Sequence, residues 1–255
     1  RRQRSTIEIA NFKATEFRMF LLYTGKIALK GLLSDECYQH FLTLSVAIAI
    51  LVSPRLVQRH LEYARQLLVH FVERARQLYG NEFMVYNVHA LLHLADDAHS
   101  FGTLDVCSAF QFEDYLQDVK KCVRSGKNPV AQVVKRVQER ELATPKPKIE
   151  GNKIRMKRPH NFYVDLTNNQ AYEIIENNGN TDYYMCRRYQ QVQPYFTAAN
   201  GPCNSQLVGI YMVCERHFHK KMMHTEQVKN LARSFRVPLR QNYAVYHALL
   251  HDTDY

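Results

Sequence analysis

The sequence predicts an α+β fold, with a helical segment over residues 13–145 followed by a small β-rich module over residues 161–255. Three observations predict it. From Lys13 to Leu142 apolar residues recur at helical spacing, with helix start and stop residues between the runs. From Asn161 onward the pattern changes to short β-type runs separated by Asn, Gly and Pro clusters. Between the two lies "ATPKPKIEGNKIRMKRPH" (143–160), whose three prolines and single glycine show no helical period and mark a linker or extended edge. Residues 1–12 read as a basic leader and residues 146–160 as a basic linker.

Composition bounds the function classes. With 255 residues, 46% of them apolar, the chain can build a real core, which excludes disorder as the default state. A formal charge of +10 points to a polyanionic partner, nucleic acid or an anionic surface. The six cysteines (37, 107, 122, 186, 203, 214) form no Cys-x-x-Cys pair and no dense disulfide framework, so a reducing intracellular compartment is expected. No signal peptide, internal repeat or low-complexity segment is visible. The chain opens with Arg1-Arg2-Gln3-Arg4 and no Met, so it is expected to be a piece of something longer.

Five or six helices follow the leader. The run Phe41 to Val52 is interrupted by Thr43 and Ser45 and falls short of the ~20 residues that cross a bilayer, so it predicts a buried core helix and no membrane partner. Ser53 and Pro54 start a helix that Gly80 ends. Its apolar face runs through Leu56, Val57, Leu61, Ala64, Leu67, Leu68, Phe71, Ala75 and Leu78. Another helix starts near Ser108, with Phe112, Leu116, Val119 and Val123 as its buried stripe. Asn128-Pro129 opens the last, with Val130, Val133, Val134 and Val137 inward and Lys135, Arg136 and Arg140 on the other side. In the β-rich part, "FYVDL", "QAYEII", "DYYMCRRY" and "LVGIYMV" read as strands. "LTNNQA" reads as a hairpin turn, because Asn tolerates left-handed backbone.

Two features carry chemistry, and each has a plainer reading beside it. His89 and His93, four apart, project from one helix face and could ligate a single metal ion, or they are ordinary hydrogen-bonded histidines. The position after His89 is Ala90, which rules out the metalloprotease pattern, and "HALLH" recurs at 247–251, so the spacing alone is unspecific. Glu113 precedes Lys120, Lys121 and Arg124 on the next helix; it could hold a divalent ion beside a gripped phosphate, or belong to a solvated charged face. The stretch from Val119 to Pro159 holds thirteen Lys or Arg against Glu139, Glu141 and Glu150, which suits nucleic-acid contact but also a solvated linker.

The run "NVHALLHLADDAHSFGTLDVCSAFQFEDYLQDVKKCVRSGKNP" resembles the C-terminal catalytic segment of CACTA (En/Spm-like) superfamily transposases. It shares their two helical histidines, Gly-centred turn, Phe-Glu-x-Tyr/Leu helix start and Lys-x-x-x-Arg continuation. The preceding "KATEFRMFLLYTGKIALKGLLSDECYQHFLTLSVAIAILVSP" is similar to the helical segment upstream of it, and a looser likeness runs to the end through "CNSQLVGIYMV" and "VYHALLH". The resemblance implies insertion helices and the last helix of an RNase H-like core, with His89 and His93 as half of a structural zinc site. It makes Glu113 the third carboxylate of a split Asp-Asp-Glu triad, binding catalytic Mg or Mn. In such a triad two divalent ions activate water, and then a DNA 3′-hydroxyl, for in-line attack on a phosphodiester. The departures are definite: no upstream Asp-bearing strands and no Cys-x-x-Cys occur here.

The expectation is therefore the C-terminal part of a cut-and-paste DNA transposase, active or decayed, which is catalytically incomplete in this chain. Lys120, Lys121, Arg124, Lys127, Lys135 and Arg136 would grip the phosphate backbone of transposon ends. A nuclear location, self-association and no small-molecule substrate belong to the same reading. The alternatives are a domesticated or truncated DNA- or protein-binding module without catalysis, and a helical interaction domain with no nucleic-acid role.

Overall fold

The computed structural model describes residues 4–142, 154–177, 179, 182–197 and 204–250. Lys146, Cys203, His251 and most of the expected basic linker lie outside them. The described residues fall into two compact units. One joins everything up to Leu104 with everything from Ile154 onward; the other starts at Asp105.

In the first unit, helix α1 (Ala14–Met19) is opened by Glu16, whose buried carboxylate accepts from the Lys13 amide at 3.1 Å and pairs with Arg4 at 3.2 Å, so the leader is tied down by charge. A π-helical turn, Phe20–Thr24, leads into α2 (Gly25–Ala28). Helix α3 (Asp35–Val52) is capped by Ser34, whose hydroxyl accepts from the Cys37 amide, with Asp35 and Glu36 at its positive end. Its Leu42, Val46, Ala49, Ile50 and Leu51 are buried, as the apolar run predicts.

Helix α4 (Pro54–Tyr79) spans the expected residues and ends at Gly80, whose φ of 83° suits glycine. Ser53 departs from expectation. It stands at the N-cap position and its carbonyl accepts from Leu56 and Val57, but its buried hydroxyl makes no cap hydrogen bond. The reason is that Ser53 alone connects α3 to α4, and its backbone must close one helix while opening the other. The helices return antiparallel: His40 of α3 donates from Nε2 to the Phe71 carbonyl at 2.9 Å, and Arg74 pairs with Glu36 at 3.3 Å. Helices α5 (Tyr86–Ala90) and α6 (Leu94–Phe101) flank a 3₁₀ turn, Leu91–His93.

The C-terminal part is an eight-stranded, curled antiparallel sheet. Its strands are β1 (Phe162–Asp165), β2 (Gln170–Asn177), β3 (Tyr183–Tyr189), β4 (Val192–Pro194), β5 (Ile210–Cys214), β6 (Phe218–His224), β7 (Ala232–Pro238) and β8 (Tyr243–Ala248), in the order β4-β5-β8-β7-β1-β2-β3-β6. The hairpin at "LTNNQA" forms as expected. Asp165 Oδ1 accepts from the Thr167 and Asn168 amides at 2.9 and 3.1 Å, and Asn169 takes φ 51°. Helix α9 (Thr225–Lys229) covers a small cluster of Tyr163, Tyr172, Ile174, Cys186 and Met223.

The sheet is not a module apart. Tyr195, Phe196, Val208, Ile210, Val245 and Leu250 share one core with α3, α4 and α6, and Tyr23 packs on Phe235 and His247. The other face of the sheet carries a buried polar network. Glu173, 4% exposed, accepts from Arg158 at 2.7 and 3.0 Å, Arg187 at 3.0 Å and Tyr189 at 3.2 Å; Tyr246 then joins Tyr189 to the Glu215–Arg236 pair.

The second unit holds α7 (Phe110–Cys122) and α8 (Pro129–Leu142). The expected stripes are only partly inward. Phe112, Leu116 and Val123 are exposed, as are Val130 and Val134, while Val119, Val133 and Val137 are half-buried. Two short helices offer each other too little surface to cover both apolar faces. Among the described residues no helix is long and apolar enough to cross a membrane.

Candidate nucleic-acid interface

The six cations expected to face a phosphate backbone all sit on one helical hairpin. Lys120 and Lys121 end α7, Arg124 and Lys127 lie in the turn, and Lys135 and Arg136 follow on α8. All are exposed except Arg136, which is half-buried. The turn is held by a residue that sequence reasoning passed over. Gln132 accepts from the Arg124 amide at 2.9 Å and donates from Nε2 to the Ser125 carbonyl at 3.0 Å, the Ser125 hydroxyl at 3.1 Å and the Lys127 carbonyl at 2.6 Å. Asn128, at φ 46°, makes the bend into α8. The only sequence signal for this lock is a glutamine in the first turn after Asn-Pro.

Charge on the hairpin is only partly neutralised. Lys121 pairs with Asp118 at 2.8 Å, an exposed i,i+3 contact in which the lysine hydrogen bond holds the Asp118 carboxyl below its usual range. The remaining cations leave the tip with a positive surplus.

Glu113 lies in the first turn of α7, exposed, with its amide bonded to the Ala109 carbonyl at 3.0 Å. The exposed Phe112, Tyr115 and Leu116 stand beside it in sequence. His89 and His93 belong to the other compact unit.

The two imidazoles do come together, with ring centroids 5.4 Å apart and planes at 75°, and both are exposed. The backbone tightens from α-helix to 3₁₀ between them, which leaves His93 closing the 3₁₀ turn and not continuing α5. Among the described residues no third His, Cys, Asp or Glu groups with them, and Glu113 likewise has no carboxylate partner placed to share a metal ion. Among the described residues, two imidazoles and one separate carboxylate complete neither a four-ligand zinc site nor a two-metal site.

The second "HALLH" differs in kind. His247 is fully buried, with Nδ1 donating to the Ala248 carbonyl at 2.8 Å and Nε2 facing Lys26 Nζ at 3.5 Å, and burial followed by the nearby Lys26 charge drives its pKa well below the usual histidine value. One motif thus makes an exposed pair and a core residue, which shows how little the spacing alone decides. Compared with family models, with curated proteins and with solved structures, the chain matches none.

Proposed function

We propose that the chain is the C-terminal part of a cut-and-paste DNA transposase, or of a protein derived from one, and that its own contribution is to grip duplex DNA with the α7–α8 hairpin. The observation that supports this most is the hairpin tip itself, where six cations are gathered around a turn that Gln132 keeps rigid. A rigid cationic tip pays less conformational entropy on meeting phosphates than a mobile basic tail would. The open apolar row of Phe112, Tyr115 and Leu116 suits a helix that packs on a further layer, as the last helix of an RNase H-like core would. In this reading Glu113 is the third metal-binding carboxylate and His89 with His93 half of a zinc site, each completed by ligands this sequence does not contain. The protein would then work in the nucleus, on transposon ends, and as an oligomer.

The direct test is binding of the whole chain to a fluorescent duplex of arbitrary sequence, followed by anisotropy. Binding that weakens when Lys120, Lys121 and Arg124 are replaced together by Ala supports the reading; absence of binding at low salt removes it. The chain alone should cut no DNA with Mg²⁺ or Mn²⁺, because one carboxylate cannot fix two ions. In a protein that also carries the two missing aspartates, Glu113→Gln should abolish cleavage and leave DNA binding intact. Binding with no cleavage even there would favour the domesticated, non-catalytic alternative.

A further inference from the structure

A second basic site lies in the other compact unit, at the start of α4. A cleft of about 310 Å³ is lined by Arg55, Arg59 and His60 from the first two turns of α4, by Asn169 from the β1–β2 hairpin, and by Asn204 and Gln206 from the loop before β5. Its volume sits at the small end of the range for ligand pockets, about the size of one nucleotide. Arg55 and Arg59 are one helical turn apart and share a face. His60 has non-helical backbone (φ −129°, ψ 17°), which offsets the first turn of α4 from the rest of the helix.

What distinguishes the cleft is its hydrogen-bond polarity. The guanidinium groups can only donate. Each amide has its oxygen already engaged: Asn169 Oδ1 accepts from the Tyr211 hydroxyl at 3.2 Å, Asn204 Oδ1 from the Gln206 amide at 2.9 Å, and Gln206 Oε1 from Asn204 Nδ2 at 3.4 Å. Tyr211 is the donor in its pair, because burial pushes its hydroxyl pKa up to about 12 and keeps it protonated. The lining donors are guanidinium and amide N–H groups, each oxygen already holds one hydrogen bond, and Leu56, Leu166 and Leu207 complete the wall. Among the described residues no carboxylate lines the cleft, and Arg59 pairs with none. The positive end of α4 adds to the same potential without making the site.

We infer that this cleft binds the phosphate of a nucleotide, with the arginines on the phosphate oxygens and the amides on acceptors of the sugar or base. A lining with two arginines and, among the described residues, no carboxylate repels a cation and matches an acceptor-rich anion. The site is separate from the α7–α8 hairpin and does not depend on that reading. Two sources share this chemistry, a free nucleotide and one unit of a nucleic-acid strand.

The test is a titration of the ¹⁵N-labelled full chain with inorganic phosphate, adenosine 5′-monophosphate and a single-stranded hexanucleotide, reading the side-chain amides of Asn169, Asn204 and Gln206. Saturable shifts of these amides are expected. Arg59→Ala should weaken binding by about tenfold, the scale of one charge-assisted hydrogen bond. Arg59 is exposed, so the variant should fold, and an unchanged thermal melt checks this. Replacing Lys120, Lys121 and Arg124 should leave the amide shifts produced by the mononucleotide unaltered. Tighter binding of the hexanucleotide than of the mononucleotide would assign the cleft to a strand, and equal binding to a free nucleotide. No saturable shift with any probe, or binding indifferent to Arg59→Ala, overturns the inference.

Discussion

Replacing Glu173 by Leu should cost the first unit about 3 kcal/mol at neutral pH, the low end of what breaking a buried ion pair costs. The magnitude follows from what each partner keeps. Arg158 and Arg187 lose their shared acceptor, but their side chains remain 60% and 37% exposed, so water takes over part of their solvation. Asn161 keeps its 2.9 Å bond to the Ile174 carbonyl, while Tyr189 is left without the acceptor for its proton. In thermal unfolding followed by circular dichroism, such a loss lowers Tm by about 6–12 °C for a chain of this size. The pH dependence is a second reading of the same network. Burial alone would push the Glu173 carboxyl up, but the hydrogen bond and charge of Arg158, with Arg187 and Tyr189, outweigh burial and hold it below the ordinary glutamate range. A depressed carboxyl pKa stabilises the fold above the unfolded value and loses that contribution as pH falls through the folded one. The difference between wild type and Glu173→Leu should therefore be full at pH 7 and shrink below about pH 4.5. A variant as stable as wild type at pH 7, or a difference that persists undiminished at pH 3, would refute the network.

Gly209→Ala should destabilise by clearly more than the ~1–2 kcal/mol of a left-handed backbone alone, because at φ 71° its new Cβ would stand 2.7 Å from Ala248 Cβ; Gly31→Ala, at φ 77° with open space around it, is the control in the same denaturant titration. His247→Gln should flatten the loss of stability between pH 6.5 and 5, since a buried histidine held neutral stabilises the fold above its unfolded pKa and loses that contribution as pH falls. An acid limb identical to wild type would count against this. In this chain His93→Ala should change folding stability by less than about 0.5 kcal/mol, as an exposed side chain does, and neither protein should retain stoichiometric zinc after dialysis. Elemental analysis and a melt decide it.

Legibility from sequence followed how local the determinants were. Helix α4 was readable to the residue because Pro54 at one end and Gly80 at the other are backbone signals that act within a turn, even though Ser53 does not cap through its hydroxyl. The "LTNNQA" hairpin was readable for the same reason. Strands β4, β6, β7 and β8 were not picked out: "FHKKMMH" alternates too weakly to signal a strand, and its place at the sheet edge comes from pairing with β3. The shared core of α3, α4 and the sheet was equally hidden, because Tyr23 meeting His247 joins residues more than two hundred positions apart. At the candidate interface the cations were legible as composition. The cleft at Arg55 and Arg59 was not, since its amides come from two segments far from the arginines in sequence, the β1–β2 hairpin and the loop before β5.

The central claim, that the α7–α8 hairpin grips phosphates, is tested most directly by the salt dependence of duplex binding by the whole chain. Each phosphate contact adds about 0.9 to the slope of log affinity against log salt. Lys120 and Arg124 are exposed and Lys121 is shared with Asp118, so replacing all three by Ala should reduce the slope by about 1.8 to 2.7. A slope that falls by that amount, with the fold intact by thermal melt, is the predicted result; a slope unchanged by the triple replacement would contradict the account.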